Sequence, residues 1–67
     1  MKTEDIGINA GKIWNYLSNK NDFASVLELK FQLNLTNTEL YLALGWLARE
    51  DKIVFLEEEN VLKVRLK

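Results

Sequence analysis

The stretch that decides the fold is TNTELYLALGWLARED, residues 36–51. Thr36 is a residue type that caps the first turn of a helix, and Glu39, three residues later, completes a capping box. Apolar side chains then recur at helical spacing and give the helix one face for a core. The members of this face are Leu40, Ala43, Leu44 and Leu47. The stretch therefore predicts a capped amphipathic helix that ends near Asp51.

Length and composition limit what can stabilise the fold. The 67 residues are expected to form one small domain, residues 1–67, near the lower size limit for a self-sufficient core. The chain has no cysteine and no histidine, which excludes disulfides and the usual zinc ligands and leaves close packing or self-association. No long apolar run follows Met1, so we expect no signal peptide, no membrane span and a cytoplasmic location.

Two further helices are predicted before residue 36. The first has an apolar stripe at i, i+4, i+7 and i+11, and it ends near Asn19, where turn-forming residues begin. Its stripe consists of Ile6, Ala10, Ile13 and Leu17. The second starts at Ser25, which forms a capping box with Glu28, and it ends before Asn34, a residue that tolerates a left-handed cap. Two capped helices joined by a few residues predict a helix-turn-helix.

After residue 51 the apolar period changes from 3.6 to 2, which predicts strands at 52–56 and 61–66 around a turn at Glu59 and Asn60. A further short strand at residues 23–24 would pair with this hairpin. The inward face then holds Ile53, Phe55, Val64 and Leu66. The outward face then holds Val54, Leu56, Lys63 and Arg65. A slip of one residue in the pairing would reverse the two faces.

The inward faces together define a predicted core. Each of its members lies on the inward stripe of its element, so each should be nearly inaccessible to solvent. They are Ile13, Leu17, Leu29, Leu33, Leu40, Leu44, Leu47, Phe55 and Val64.

This order of elements is typical of the winged-helix fold. Residues 40–50, LYLALGWLARE, together with residues 10–14, AGKIW, resemble a family of very short bacterial winged helix-turn-helix proteins described as a domain of unknown function. The resemblance covers nearly the whole chain. It implies an α+β winged helix-turn-helix with a three-helix core and a two-stranded β-hairpin wing. A regulatory or DNA-linked role follows from it only by analogy, since a fold does not fix a function.

The side of the third helix that faces away from the core is a candidate DNA surface. It centres on Thr38, Leu42, Gly45 and Arg49, with Tyr41 and Trp46 beside them. If it reads DNA, Thr38, Tyr41 and Arg49 make the contacts and Gly45 permits close approach. The alternative, which the few polar groups favour, is that Arg49 is a solvated last-turn cation, Tyr41 packs, and Gly45 admits another helix or Trp14.

Lys63, Arg65 and Lys67 lie on one face of the last strand and are candidates to contact phosphates. The favoured alternative is that these residues reflect only the ordinary alternation of polar and apolar side chains along a strand. The net charge of −1 and the three carboxylates of residues 57–59 at the wing tip argue against contact between the wing and the phosphate backbone of DNA. Consecutive hairpin residues point to opposite sides, so these carboxylates do not converge and no metal site is predicted.

Apolar residues on outward faces favour a protein contact instead. Leu27 and Phe31 lie opposite the buried face of the second helix, Trp46 lies on the third, and Val54 and Leu56 lie on the wing. Several exposed apolar side chains on so small a chain indicate an interface, unless the N-terminal segment or Lys and Arg stems cover them. We expect a symmetric homodimer through Trp46, Val54 and Leu56, with Leu27 and Phe31 as the alternative patch.

Two functions remain open from the sequence. The chain lacks histidine, cysteine and a glycine-rich phosphate loop, so it is not expected to be an enzyme or to bind a cofactor or small-molecule ligand. One function is a DNA-binding or transcription-regulation-like module, which calls for a continuous basic stripe along the third helix and wing. The other is a protein-interaction or homodimerisation module that does not bind DNA, which calls for an apolar patch there.

Overall fold

The chain folds into three helices and a three-stranded antiparallel sheet in this computed structural model, which describes residues 1–67. The elements are α1 (Thr3–Lys20), β1 (Ala24–Ser25), α2 (Val26–Gln32), α3 (Asn37–Arg49), β2 (Ile53–Glu58) and β3 (Val61–Leu66). The predicted α+β winged helix-turn-helix is therefore confirmed, with its three-helix core and hairpin wing. The short additional strand is also present, one residue later than predicted.

The predicted starts of α2 and α3 are confirmed by their hydrogen bonds. The predicted capping box is complete only at Thr36, because no bond returns from the Ser25 amide to the Glu28 carboxylate. The Glu39 amide donates to the Thr36 hydroxyl at 3.1 Å, and the Thr36 amide donates to the Glu39 carboxylate at 2.9 Å. The Glu28 amide donates to the Ser25 hydroxyl at 3.0 Å, so Ser25 ends β1 and caps α2 at once. These bonds satisfy amide groups that a helix start otherwise leaves without partners.

Left-handed backbone marks the ends of the elements. Asn21, Asn34 and Asp51 follow the three helices with φ angles of 55°, 53° and 59°. Glu59 and Asn60 form the two-residue turn of the hairpin with φ angles of 50° and 66°, as in a type I′ turn, whose twist suits a hairpin. These φ angles confirm the predicted turn positions. Four of the five residues are asparagine or aspartate, which tolerate the left-handed conformation better than most residues.

The sheet has the order β1-β3-β2 and the predicted register. Phe55 pairs with Val64, and Ile53 pairs with Leu66. Phe55 was nevertheless predicted to be buried and is 46% exposed. It lies on the edge strand β2, whereas Val64 lies on the central strand and is fully covered. The alternation of apolar residues identifies a shared face, but it does not say which strand of that face extends beyond the helices.

The core contains the apolar stripes of all three helices and the centre of the sheet. Its fully or almost fully buried members are Ala10, Ile13, Leu17, Ala24, Leu29, Leu35, Leu40, Ala43, Leu44, Leu47, Ile53 and Val64. Leu33 was predicted to be buried, but it follows the last residue of α2 and is only half-buried against this cluster. Leu35 takes a buried place in the turn between α2 and α3 instead.

Leu44 tests the placement of α3. Its side chain is 2% exposed, so Leu44→Ala should leave a cavity in the core. We expect a loss of about 2–5 kcal/mol from the free energy of unfolding, which is a large share of the roughly 5–15 kcal/mol typical of a domain. Urea denaturation measures the loss. Leu27→Ala, at a 59% exposed leucine of α2, is the matched control and should change stability little; equal effects would refute the placement.

Candidate interaction surface

The outward side of α3 presents the side chains that its periodicity predicts. Thr38, Gly45 and Arg49 are exposed, and Tyr41 is 54% exposed on one side of them. Leu42 and Trp46, one helical turn apart, are 43% and 42% exposed. The face therefore combines one hydroxyl, one guanidinium and several apolar groups. A contact of Thr38, Tyr41 or Arg49 with DNA stays a prediction.

The cations of β3 are engaged within the chain. The Lys63 ammonium lies 3.5 Å from the Glu58 carboxylate, and that of Lys67 lies 2.6 Å from Asp51. The Arg65 guanidinium stacks 5.3 Å from the centre of the Phe23 ring and donates to the Leu66 carbonyl at 3.0 Å. The face of β3 is thus partly neutralised by its own neighbours and offers fewer free charges to phosphates than the sequence suggests.

Arg49 differs from these residues because it forms no ion pair with the chain. It lies in the last turn of α3, where a positive charge is favourable beside the carbonyl end of the helix. A single free guanidinium does not make the continuous basic stripe that a DNA-binding face calls for.

A second surface lies between α1 and α3. A groove of about 280 Å³ is lined by Gly7, Gly11 and Trp14 of α1, by Trp46 of α3, and by Lys52, which lies between α3 and β2. Trp14 and Trp46 are 41% and 42% exposed, so each shows much of its ring to solvent. We call this the tryptophan groove. Sequence reasoning placed Trp14 only at the edge of the core, although Gly7, Gly11 and Trp14 follow one another at helical spacing.

The predicted dimer patch of Trp46, Val54 and Leu56 stays a prediction, and its residues lie on two elements, α3 and β2. Val54 and Leu56 pair with Arg65 and Lys63 on the sheet face turned away from the helices, and both are half-buried there. Trp46 instead lies in the tryptophan groove. Helical periodicity identified Trp46 as an outward residue, but it did not show which neighbouring element it lies against.

The three glycines have open space around them. Apart from the adjacent residues and backbone of its own helix, a Cβ atom at Gly7, Gly11 or Gly45 would meet no heavy atom within 4 Å, and all three have ordinary helical backbone. The expectation that Gly45 admits another helix or Trp14 is therefore wrong within this chain. Each glycine costs about 1 kcal/mol relative to alanine in a helix, and no contact inside the chain requires that cost.

The other predicted apolar patch lies on α2. Leu27 and Phe31 are 59% and 69% exposed, and they point away from the buried Leu29. The Lys30 ammonium lies 5.8 Å from the centre of the Phe31 ring, a cation–π distance that partly shields the ring. The patch lies on a short helix, since α2 has only 7 residues.

A hydrogen-bonded cluster joins α1 to α2. The Tyr16 hydroxyl and the Lys20 ammonium both donate to one carboxylate oxygen of Glu28, at 2.5 and 2.8 Å. The hydrogen bond from Lys20, followed by that from Tyr16, holds the pKa of Glu28 below its usual 4.5. The same bonds raise the pKa values of Tyr16 and Lys20, because each favours the protonated donor.

Comparison with known proteins identifies the family. A family model described as "Winged helix-turn-helix domain (DUF2582)" matches residues 1–66. The chain belongs to this family. The predicted resemblance to short winged helix-turn-helix proteins of unknown function is thereby confirmed. No group of three or more His, Cys, Asp or Glu side chains is placed to hold a metal ion, and none of the helices has the length and apolarity needed to cross a bilayer.

Two known proteins are similar to this winged-helix chain over most of its length. An uncharacterised protein, MJ1608, of Methanocaldococcus jannaschii is 36% identical over 63 residues, which are 92% of this chain and 90% of the relative. The solution NMR structure of protein BT2368 from Bacteroides thetaiotaomicron is similar with a TM-score of 0.83 and 38% identity, over 98% of this chain and 79% of that one. Since one relative is archaeal, the bacterial part of the resemblance is not confirmed.

The Glu28 cluster makes stability depend on acid. Because the pKa of Glu28 is lowered in the folded chain, its contribution is complete above pH about 4.5 and is lost as the pH falls through the folded value. We expect the free energy of unfolding of Glu28→Gln to decline less than that of the parent between about pH 7 and pH 3. Glu57→Gln, which removes a wing carboxylate without partners, should keep the parental decline. Identical pH profiles for all three chains would contradict this role.

Proposed function

We propose that this winged-helix domain is a non-enzymatic protein-interaction module that self-associates through the tryptophan groove. The observation that carries the proposal is the pair Trp14 and Trp46, both about two-fifths exposed on the two walls of one groove. Tryptophan is enriched among the residues that dominate binding energy, since its large ring buries much apolar area in a pocket. The two rings can anchor a partner, and the glycine backbone beside them, exposed at Gly11 and half-buried at Gly7, leaves room for it.

The size of the chain supports association. Only 13 of 67 residues are buried, and no disulfide reinforces them. Large apolar side chains are exposed on all three helices, and contiguous exposed apolar surface on a small domain is typical of an interaction site. A homodimer would bury such surface at about 25 cal/mol per Å² and so add to the stability of a small core.

Self-association is tested by sedimentation from about 1 µM to 1 mM protein. We expect a monomer–dimer equilibrium, and we expect Trp46→Ala or Trp14→Ala to raise the dissociation constant at least about tenfold, because each removes a central aromatic anchor. Val54→Lys and Phe31→Lys are the controls, since both lie outside the groove, and they should leave the equilibrium unchanged.

The outcomes of the sedimentation experiment distinguish the three candidate interfaces. A monomer at every concentration would overturn the proposal. A dimer that tolerates Trp46→Ala and Val54→Lys but is broken by Phe31→Lys would move the interface to α2, where Leu27 flanks Phe31. A dimer broken by Val54→Lys alone would move it to the outer face of the sheet, beside Leu56.

The winged-helix family and the free charge of Arg49 favour a second function, weak binding of DNA by a regulatory module. Arg49 and Thr38 lie on the same outward side of α3, and Tyr41 lies beside them. Few groups there can read base edges, so the contacts would go to phosphates and would not depend on sequence. The carboxylates of residues 57–59 at the wing tip would repel the DNA backbone and limit the affinity.

A salt titration of DNA binding tests this second function. We expect dissociation constants of about 10⁻⁴–10⁻⁶ M that weaken as salt rises. Arg49→Ala and Lys63→Ala should reduce affinity similarly for all DNA sequences, because each removes a phosphate contact. Lys12→Ala removes an equal charge from the exposed side of α1 and serves as the control. Nanomolar, sequence-selective binding that survives both Arg49→Ala and Lys63→Ala would refute this description of the face.

A further inference from the structure

We infer that the groove is occupied by a second copy of the chain whose α1 crosses α1 in the antiparallel direction at Gly7 and Gly11, about a two-fold axis. The inference rests on the self-association proposed above and specifies its geometry. It explains why α1 carries an exposed and a half-buried glycine beside the groove, each with room for a Cβ atom that no contact within the chain fills. A second helix backbone is the partner that would use this open space.

The spacing along α1 is symmetric about residue 9. Glu4, Gly7, Gly11 and Trp14 follow one another at intervals of three, four and three residues, within an arc of about 80° at 3.6 residues per turn. Gly7 and Gly11 each lie about 3 Å from the midpoint along the axis, and Glu4 and Trp14 each lie about 7.5 Å from it. A two-fold axis through that midpoint sets Gly7 of one copy beside Gly11 of the other, and Glu4 beside Trp14.

Glu4 of α1 and Lys52 of the groove carry charges that are complementary under this symmetry. Lys52 lines the groove with Trp14 and forms no ion pair within the chain. Glu4 reaches only Lys2, at 4.0 Å, and both side chains are largely exposed. Because the two-fold axis brings Glu4 to the level of Trp14 of the second copy, it also brings Glu4 towards Lys52 of that copy. Such exposed pairs add little affinity, but they fix direction and register.

The glycines determine how close the helices come. Helix axes pack about 8–10 Å apart, at the lower end when the contact residues are small. Without Cβ atoms at Gly7 and Gly11, the rings of Trp14 and Trp46 can lie over the backbone of the opposite α1. A standard interface covers about 800 Å² per partner, roughly a sixth of the 4614 Å² surface of the chain. The contact must therefore extend along α1 and across to Trp46.

Gly11→Leu tests this geometry by sedimentation of the full chain, with Gly45→Leu as the matched control. Both glycines are helical with open space around them, so leucine should raise the melting temperature of dilute, monomeric protein in both variants. We expect Gly11→Leu to raise the dimer dissociation constant at least about a hundredfold, whereas Gly45→Leu should change it less than about threefold. The rise in melting temperature verifies that each variant folds.

A charge exchange tests the direction of the helices. Glu4→Lys and Lys52→Glu should each weaken the dimer by a few-fold, and the double variant should recover the parental dissociation constant. A dimer that is lost in Trp46→Ala but persists in Gly11→Leu would overturn the α1 crossing and leave the proposed function standing. Failure of the double variant to recover would overturn the antiparallel register. A parent that is monomeric throughout would overturn both the crossing and the proposed function.

Discussion

The packing of α1 against α3 is the constraint on which the rest of the structure depends. Ala10 of α1 and Ala43 of α3 are both buried in the shared core, and such small side chains allow two helices to approach closely. This approach carries Trp14 and Trp46 to the two walls of one groove. Larger residues at the two alanine positions would push the helices apart. Both the core and the groove between α1 and α3 would then be disrupted. The candidate surface therefore follows directly from the packing that stabilises the fold.

The sequence predicts the elements of this fold well, because the signals for them are local. Thr36 and Ser25 mark helix starts through hydrogen bonds that span three residues, and the turn at Glu59 and Asn60 sets the register that pairs Phe55 with Val64. What it does not predict depends on relations between elements. Phe55 is exposed because β2 is an edge strand, and the position of Trp46 beside α1 depends on how two helices cross. Neither the exposure of Phe55 nor the position of Trp46 can be predicted from the periodicity of a single segment.

The two candidate functions use different sides of α3. At 100° per residue, Trp46 turns towards α1, whereas Tyr41 turns the other way, with Arg49 between them on the outward side. Occupation of the tryptophan groove would therefore leave the Tyr41 side open to solvent. Self-association through the groove and weak binding of phosphates by the Tyr41 side could therefore occur in the same molecule. A dimer would present two such sides related by symmetry.

The unpaired edge of β2 and the carboxylates at the hairpin tip affect how the chains behave in concentrated solution. The strand β2 is bonded on one side only, so its other side presents free amide and carbonyl groups along 6 residues that include the exposed Phe55. An open edge of this kind can recruit a strand from another molecule and start aggregation. Glu57 and Glu58 lie on that strand and Glu59 follows it. When two such edges meet, their negative charges repel, so the wing keeps its sheet from growing beyond three strands.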